Sequence, residues 1–313
     1  MYLPYLRGRQ YELLALRELA ENNLINNKIL PIIEPIKPSA TLLKTMGMFI
    51  NKEKDLAVIL HPQVGNFNKD ISILKKEGWK MNFSEALKSK NIVISHIMNE
   101  NSNNELNELF SNGVEENELL VINKNKDYLS NYLESFGNKN PLYTLIPEES
   151  AFKRKIKVKR VLLEDRFEKE ARNADYKDIN SRAFSEDHIY FEEDGFMGYS
   201  DYSIVGEEYS ESGFAPYAVA IHIVYFDTDK SLRIKHFVSN SNKDINDPAG
   251  KFGEALQKLA EWKETRNINT YSLEKFMEHY RNGTYPGLGT VKKLAIMHHI
   301  ELISQYFDGK FDL

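Results

Sequence analysis

The chain has 313 residues, of which 42% are apolar and 28% are charged, as is typical of a globular protein with a sizeable core. Its formal net charge of −5 gives no overall basic field that would attract nucleic acid or an anionic membrane surface. The absence of cysteine excludes disulfides, thiolate nucleophiles and cysteine-bound zinc. Because the sequence also shows no signal peptide and no apolar run of about 18 residues, we expect a cytoplasmic protein without a membrane partner.

The first half of the chain alternates short apolar strands with helices. Continuous apolar runs, such as LAVIL at 56–60, are typical of parallel strands that are buried on both faces. Segments with helical spacing of apolar residues separate these runs, which calls for parallel strands joined by crossover helices. The predicted strands span 2–8, 28–36, 56–62, 91–98, 118–124, 141–148 and 158–165.

The pattern changes after residue 166. A long polar stretch over 167–216 predicts an insertion or lid, and it includes the glycine-punctuated aromatic segment GFMGYSDYSIVG at 195–206. The apolar run at 217–226 predicts the eighth strand, which forms a hairpin with the strand that follows it, and helices complete the chain. We therefore predict an α/β fold, a (β/α)8 TIM-barrel-like domain over 1–313, with a doubly wound open sheet as the alternative.

Active sites of (β/α)8 barrels form at the carboxyl ends of the strands, and several predicted strands here end in polar residues. Glu34 interrupts an apolar strand and needs a partner, either Arg7 or Arg9 in an ion pair or a metal ion. If Glu34, His61 and Glu164 converge, they form an oxygen- and imidazole-lined site for a divalent metal, as in a phosphodiesterase or nuclease. The catalytic candidates are His61, His96, Glu164 and His222, each histidine being a general base, a metal ligand or a structural residue.

Three segments carry a resemblance to a known family. YLPYLRGRQYELLALREL, ILPIIEPIK and the stretch from DGFMGYSDYSIVG to LRIKHFVSNSN resemble the beta family of phage and bacterial proteins. The resemblance implies an anti-phage defence or phage–host conflict system, in which the barrel mouth binds a phage component or a nuclease-like partner encoded nearby. An oligomeric scaffold is a further alternative, favoured by the aromatic content and the last amphipathic helix. The candidate ligand-binding residues are Arg7, Arg9, Glu34, Tyr199, Asp201, Tyr202 and His236.

Overall fold

The computed structural model describes residues 1–137, 139–179, 181–211 and 216–310. The chain divides into two compact units, and we describe each by itself instead of as one domain over 1–313. Unit 1 comprises Met1–Glu21, Asn27–Asp165 and Asp187–Tyr202. Unit 2 comprises Asn22–Asn26, Arg166–Glu186 and Ser203–Leu313.

Unit 1 is built on eight parallel strands, each paired with the next one along the unit. A bridge between Tyr2 and Tyr199 joins the last strand to the first, and the Tyr5 N–H donates to the Asp201 carbonyl oxygen at 2.9 Å. This nearly closed sheet confirms the predicted (β/α)8 barrel, and the doubly wound alternative is wrong because the strand order never reverses. The strands are β1 (Tyr5–Leu6), β2 (Ile32–Ile33), β3 (Leu56–Ile59), β4 (Ile92–Ile97), β5 (Leu120–Ile122), β6 (Tyr143–Ile146), β7 (Arg160–Leu163) and β9 (Tyr199–Ser200), with β8 in unit 2.

The eighth barrel strand differs from the predicted one. It is the short β9, which pairs with Leu162 and Leu163 of β7 and lies inside the GFMGYSDYSIVG stretch. The prediction that the run at 217–226 forms the eighth barrel strand was wrong, because this run pairs in an antiparallel sheet of unit 2. Gly198 lets β9 pack against the start of the chain, since a Cβ there would lie 2.6 Å from the Met1 carbonyl oxygen.

Helices follow most barrel strands, and alternate strand side chains fill the barrel. Tyr5, Ile32, Ala57, Ile97 and Tyr202 belong to one buried cluster inside it. The residues that follow the strands therefore form the rim, where barrels carry their sites. The helices of unit 1 are α1 (Gln10–Glu21), α2 (Ala40–Asn51), α3 (Phe67–Ile73), α4 (Glu77–Leu87), α5 (Ser102–Ser111), α6 (Leu129–Phe136), α7 (Ser150–Lys155) and α8 (Asp187–Tyr190).

Unit 2 contains a three-stranded antiparallel sheet in the order β10 (Ala220–Phe226), β11 (Leu232–Val238) and β8 (Ser181–Ser185). The hairpin of β10 and β11 confirms the one predicted from the sequence. Three helices follow, as expected: α9 (Pro248–Glu264), α10 (Tyr271–Asn282) and α11 (Leu288–Phe307). Within the described ranges, none of the helices combines the length and the apolar character needed to cross a membrane.

Candidate metal centre at the barrel rim

Two neighbouring strands place His61 and His96 beside each other. His96 is the penultimate residue of β4, and His61 lies just beyond the end of β3, which pairs with β4 in parallel. The two imidazole rings are 5.8 Å apart, centre to centre, and meet edge to face. The structure thus brings together two of the histidines that the sequence singled out.

Glu105 adds a carboxylate to this pair. It lies on α5, the helix that follows β4, and its Oε2 is 4.0 Å from His61 Nδ1 and 3.8 Å from His96 Nδ1. Those separations are too long for hydrogen bonds. Three atoms about 4 Å apart surround a point roughly 2.3 Å from each of them, which is close to the length of a zinc–nitrogen or zinc–oxygen bond, so one ion can contact all three groups. One ligand atom from each residue lies within 4.8 Å of the others.

The hydrogen bonds of His96 indicate which ring nitrogen is free to bind a metal. Nε2 lies 2.9 Å from Ser102 Oγ, whereas Nδ1 is buried and makes no hydrogen bond to any described residue. An N–H on Nδ1 would leave a buried donor unsatisfied, which is costly. We therefore assign the proton to Nε2, donating to Ser102, with the Nδ1 lone pair facing His61 and Glu105. Metal-binding histidines are commonly held by this second hydrogen bond.

Electrostatics favour the neutral, ligand form of His96. Burial, together with repulsion from His61, lowers the pKa of His96 to about 3. Imidazole nitrogen and carboxylate oxygen are ligand types that bind divalent transition-metal ions. The side chains of His61 and Glu105 are 21% and 23% exposed, so solvent reaches the group.

A polar turn before α5 holds Glu105 in place. The Asn99 side-chain amide donates to Glu105 Oε2 at 2.8 Å and to the Ile97 carbonyl oxygen at 3.0 Å. The Asn99 backbone N–H donates to Ser102 Oγ at 2.7 Å, which ties the same turn to the partner of His96. Asn and Ser favour such turns because their side chains bond the local backbone. One turn therefore orients two of the three candidate ligands.

The other predicted metal ligands have different partners. Glu34 accepts hydrogen bonds from the Arg7 guanidinium, from Tyr5 Oη at 2.7 Å and from the Gln63 backbone N–H at 2.7 Å. Glu164 accepts from the Glu148 backbone N–H at 2.8 Å. Among the described residues, the group within reach of one ion is His61, His96 and Glu105, which differs from the predicted combination of Glu34, His61 and Glu164.

The predicted Arg7–Glu34 ion pair forms directly after the ends of β1 and β2, and both side chains are buried. Arg7 is 4% exposed and Glu34 is fully buried. The Arg7 guanidinium also lies 5.1 Å from the ring centres of Tyr5 and Tyr202, within the range of cation–π attraction. Arg9 is half-buried and lies just before α1. Arg7, Glu34 and Tyr202 thus come together as predicted, but inside the protein and not on an open binding surface.

The remaining predicted residues lie elsewhere. Asp201 and Tyr199 are buried around Tyr2, which donates from Oη to Asp201 Oδ1 at 2.7 Å and stacks its ring on Tyr199 at 4.9 Å. His222 and His236 belong to unit 2, where they pair across β10 and β11. These four residues take no part in the candidate metal centre.

Glu105 was not among the residues predicted from the sequence. It lies in the polar helix SNNELNELFS, where a glutamate looks like an ordinary solvent-facing residue. One feature of the sequence could have indicated it. Only the short NENSNN turn separates His96 from Glu105, so the helix must start close to the end of the strand that carries His96.

No protein-family model matches the chain, and no curated protein or solved structure shows significant similarity to it. The class of protein is therefore defined by fold and site alone: a (β/α)8 barrel with a candidate divalent-metal centre at the carboxyl ends of β3 and β4. Membership of the beta family stays a prediction.

Proposed function

We propose that this protein is a divalent-metal-dependent hydrolase whose metal ligands are His61, His96 and Glu105. One observation carries the proposal. Two imidazole Nδ1 atoms that make no hydrogen bond to any described residue face a carboxylate at the carboxyl end of a barrel sheet. Barrel enzymes place their chemistry at this end.

The proposed ligand set has the composition of a catalytic site. Three protein ligands leave coordination positions for water and substrate, whereas structural zinc sites are usually closed by four. A divalent ion held there would lower the pKa of water and so supply a nucleophile near neutral pH. The exposure of His61 and Glu105 gives water and substrate access to the group.

We propose a phosphate ester as the substrate class. Lys124 is exposed at the end of β5, which pairs with β4 in parallel, so a cation lies on the same rim as His96. A cation beside a divalent metal stabilises the charge that develops on a phosphoryl group during displacement. Attack of water on phosphorus breaks the ester bond, and the proton from that water ends on the leaving alcohol.

The test separates metal binding from activity. Calorimetric titration of chelator-treated protein with Mn²⁺ and with Zn²⁺ should show binding that His61→Ala and Glu105→Gln each weaken by at least about tenfold. His279→Ala is the matched control, because it removes a histidine bonded to Thr284 in unit 2, outside the candidate site. Hydrolysis of bis(p-nitrophenyl) phosphate should fall in the same two variants. Unchanged metal affinity in both would refute the proposed centre.

A role in phage–host conflict also stays a proposal, and it rests on the resemblance alone. Such a role predicts that a protein encoded by a neighbouring gene binds this chain. Mixing the two purified products and measuring their mass by light scattering tests it. A hydrolase could serve in such a system, so the two proposals are compatible.

A further inference from the structure

Unit 2 contains a cavity of about 310 Å³, which lies at the lower end of the size range for small-molecule sites. One wall is β10 and another is the first two turns of α11. The short 3-10 helix Asn173–Asp178 supplies a third. Its lining includes Phe167, Tyr176, His222, Val291 and Lys292.

An aromatic cluster forms one side of the cavity. The His222 ring is 4.7 Å from the Tyr176 ring and 5.3 Å from the Phe167 ring, both approximately edge to face. Such contacts fix the imidazole in one orientation. Most of the remaining lining is aliphatic, so the cavity favours an apolar occupant.

His222 is the polar feature that would orient a ligand. Its Nδ1 lies 2.7 Å from His236 Nδ1, so one of these two nitrogens carries the shared proton. Nε2 of His236 is buried and makes no hydrogen bond to any described residue. An orphaned acceptor there costs less than an orphaned N–H, so we place the shared proton on His236. His222 then carries its proton on Nε2 and offers a hydrogen-bond donor.

The charges around the cavity favour an anionic group beside that donor. Lys292 lines the cavity from α11, whose N-terminal end adds a positive partial charge. The carboxylate in the lining, Glu170, is already bonded to the Arg182 guanidinium at 2.7 Å. Burial, with additional repulsion from His236 and Lys292, lowers the pKa of His222 to about 3, so His222 is neutral near pH 7 and donates one N–H.

We propose that this cavity binds a small apolar carboxylic acid, as a site separate from the metal centre. The hydrocarbon or aromatic part would pack against Phe167, Tyr176 and Val291. The carboxylate would accept the N–H of His222 Nε2 and lie close to Lys292. Nothing in this assignment depends on the barrel being a hydrolase.

A pair of probes that differ only in charge tests the assignment. Indole-3-acetate and indole-3-acetamide have nearly the same shape, and calorimetry at pH 7 should show the acetate binding at least about tenfold more tightly, equivalent to about 1.4 kcal/mol. Val291→Trp should abolish binding of both probes, because the introduced tryptophan side chain fills the cavity. Lys292→Met should reduce the preference for the acetate. Its matched control, Lys293→Met, changes the next residue of α11, which is not in the lining, and should leave the preference unchanged.

His222→Phe removes the donor while keeping an aromatic ring in the wall, so it should weaken binding of both probes, because each offers an oxygen that accepts this N–H. Circular dichroism spectra and melting curves identify variants that fail to fold; if His222→Phe is one of them, the Lys292 and Lys293 pair decides the question. Equal affinities for the two probes in the native protein would overturn the proposal. So would the absence of saturable binding, or binding that Val291→Trp leaves unchanged.

Discussion

Substitutions in the buried Arg7–Glu34 pair test how much this ion pair contributes to the stability of the barrel. Arg7→Met removes the charge but keeps most of the length of the side chain. The fully buried Glu34 carboxylate then keeps its bonds to Tyr5 Oη and the Gln63 N–H but loses its only cationic hydrogen-bond partner among the described residues.

The expected cost follows from burial. Removing one member of a buried ion pair typically costs about 3–5 kcal/mol of unfolding free energy, because it leaves an uncompensated charge. For a unit of this size, that loss corresponds to a fall in Tm of about 6–20 °C. The double variant, Arg7→Met with Glu34→Gln, removes both charges and should lie within about 2 kcal/mol of the native protein. The two single changes should therefore be strongly non-additive.

The two tryptophans of the chain allow the measurement to be made on unit 1 alone. Trp79 belongs to unit 1, where it stacks on Phe83 at 5.0 Å, and Trp262 belongs to unit 2. In a Trp262→Phe background, urea unfolding followed by fluorescence reports on unit 1. The Trp79→Phe background provides the comparison, because its remaining signal comes from unit 2 and shows whether the loss of stability is confined to unit 1.

A cost of less than about 1 kcal/mol of unfolding free energy for Arg7→Met would refute this expectation. A loss of that size is typical of exposed ion pairs, and it would mean that water reaches the Glu34 carboxylate. A double variant whose loss of stability equals the sum of the two single losses would also refute it, because the residues would then act independently.

Two further changes test barrel closure and a buried carboxyl. Gly198→Ala should cost about 1–3 kcal/mol, because the new Cβ would lie 2.6 Å from the Met1 carbonyl oxygen, whereas Gly253→Ala in α9 meets nothing within 4 Å and should not destabilise the protein. Equal thermal stability of the two variants would contradict this account. Burial raises the pKa of Glu301 from its ordinary value of 4.5 to about 7. The folded state therefore retains a proton there that the unfolded chain releases. This contribution to stability is lost as the pH rises from about 4.5 to about 7. Between pH 5 and pH 8 the native protein should therefore lose about 2–3 kcal/mol more than Glu301→Gln, measured by urea unfolding, and identical pH profiles would show that the carboxyl is not perturbed.

Seven barrel strands could be predicted because their apolar runs are buried on both faces. β9 could not be, because its two residues lie in a stretch rich in glycine and polar residues, with no continuous apolar run to mark a buried strand. Its position is set by partners distant in sequence, Met1 and β7, and the only local trace is Gly198, where a side chain would collide with the chain start. The run at 217–226 shows a far stronger strand pattern, and it does form a strand, but in the other unit.

The candidate site was partly predictable for a related reason. His61 and His96 lie at strand ends, so the barrel hypothesis alone brings them to one rim. Glu105 belongs to a helix, and its meeting with His96 depends on the turn that Asn99 stabilises, which no periodic pattern reveals. The Arg7–Glu34 pair was predictable because an acid in an apolar strand requires a partner. Its complete burial depends on Tyr202, which follows the strand that the sequence pattern missed.

The two polar groups at the barrel rim differ in what they leave available for chemistry. Glu34 has donors at both of its oxygens, so its carboxylate is already satisfied, and Arg7 is buried against Tyr5 and Tyr202. His61 and Glu105 are partly exposed, and the imidazole lone pairs beside them lack protein donors in the described ranges. A site needs groups that can still form bonds, and this is why we propose the metal centre at β3, β4 and α5 and not at the Arg7–Glu34 pair.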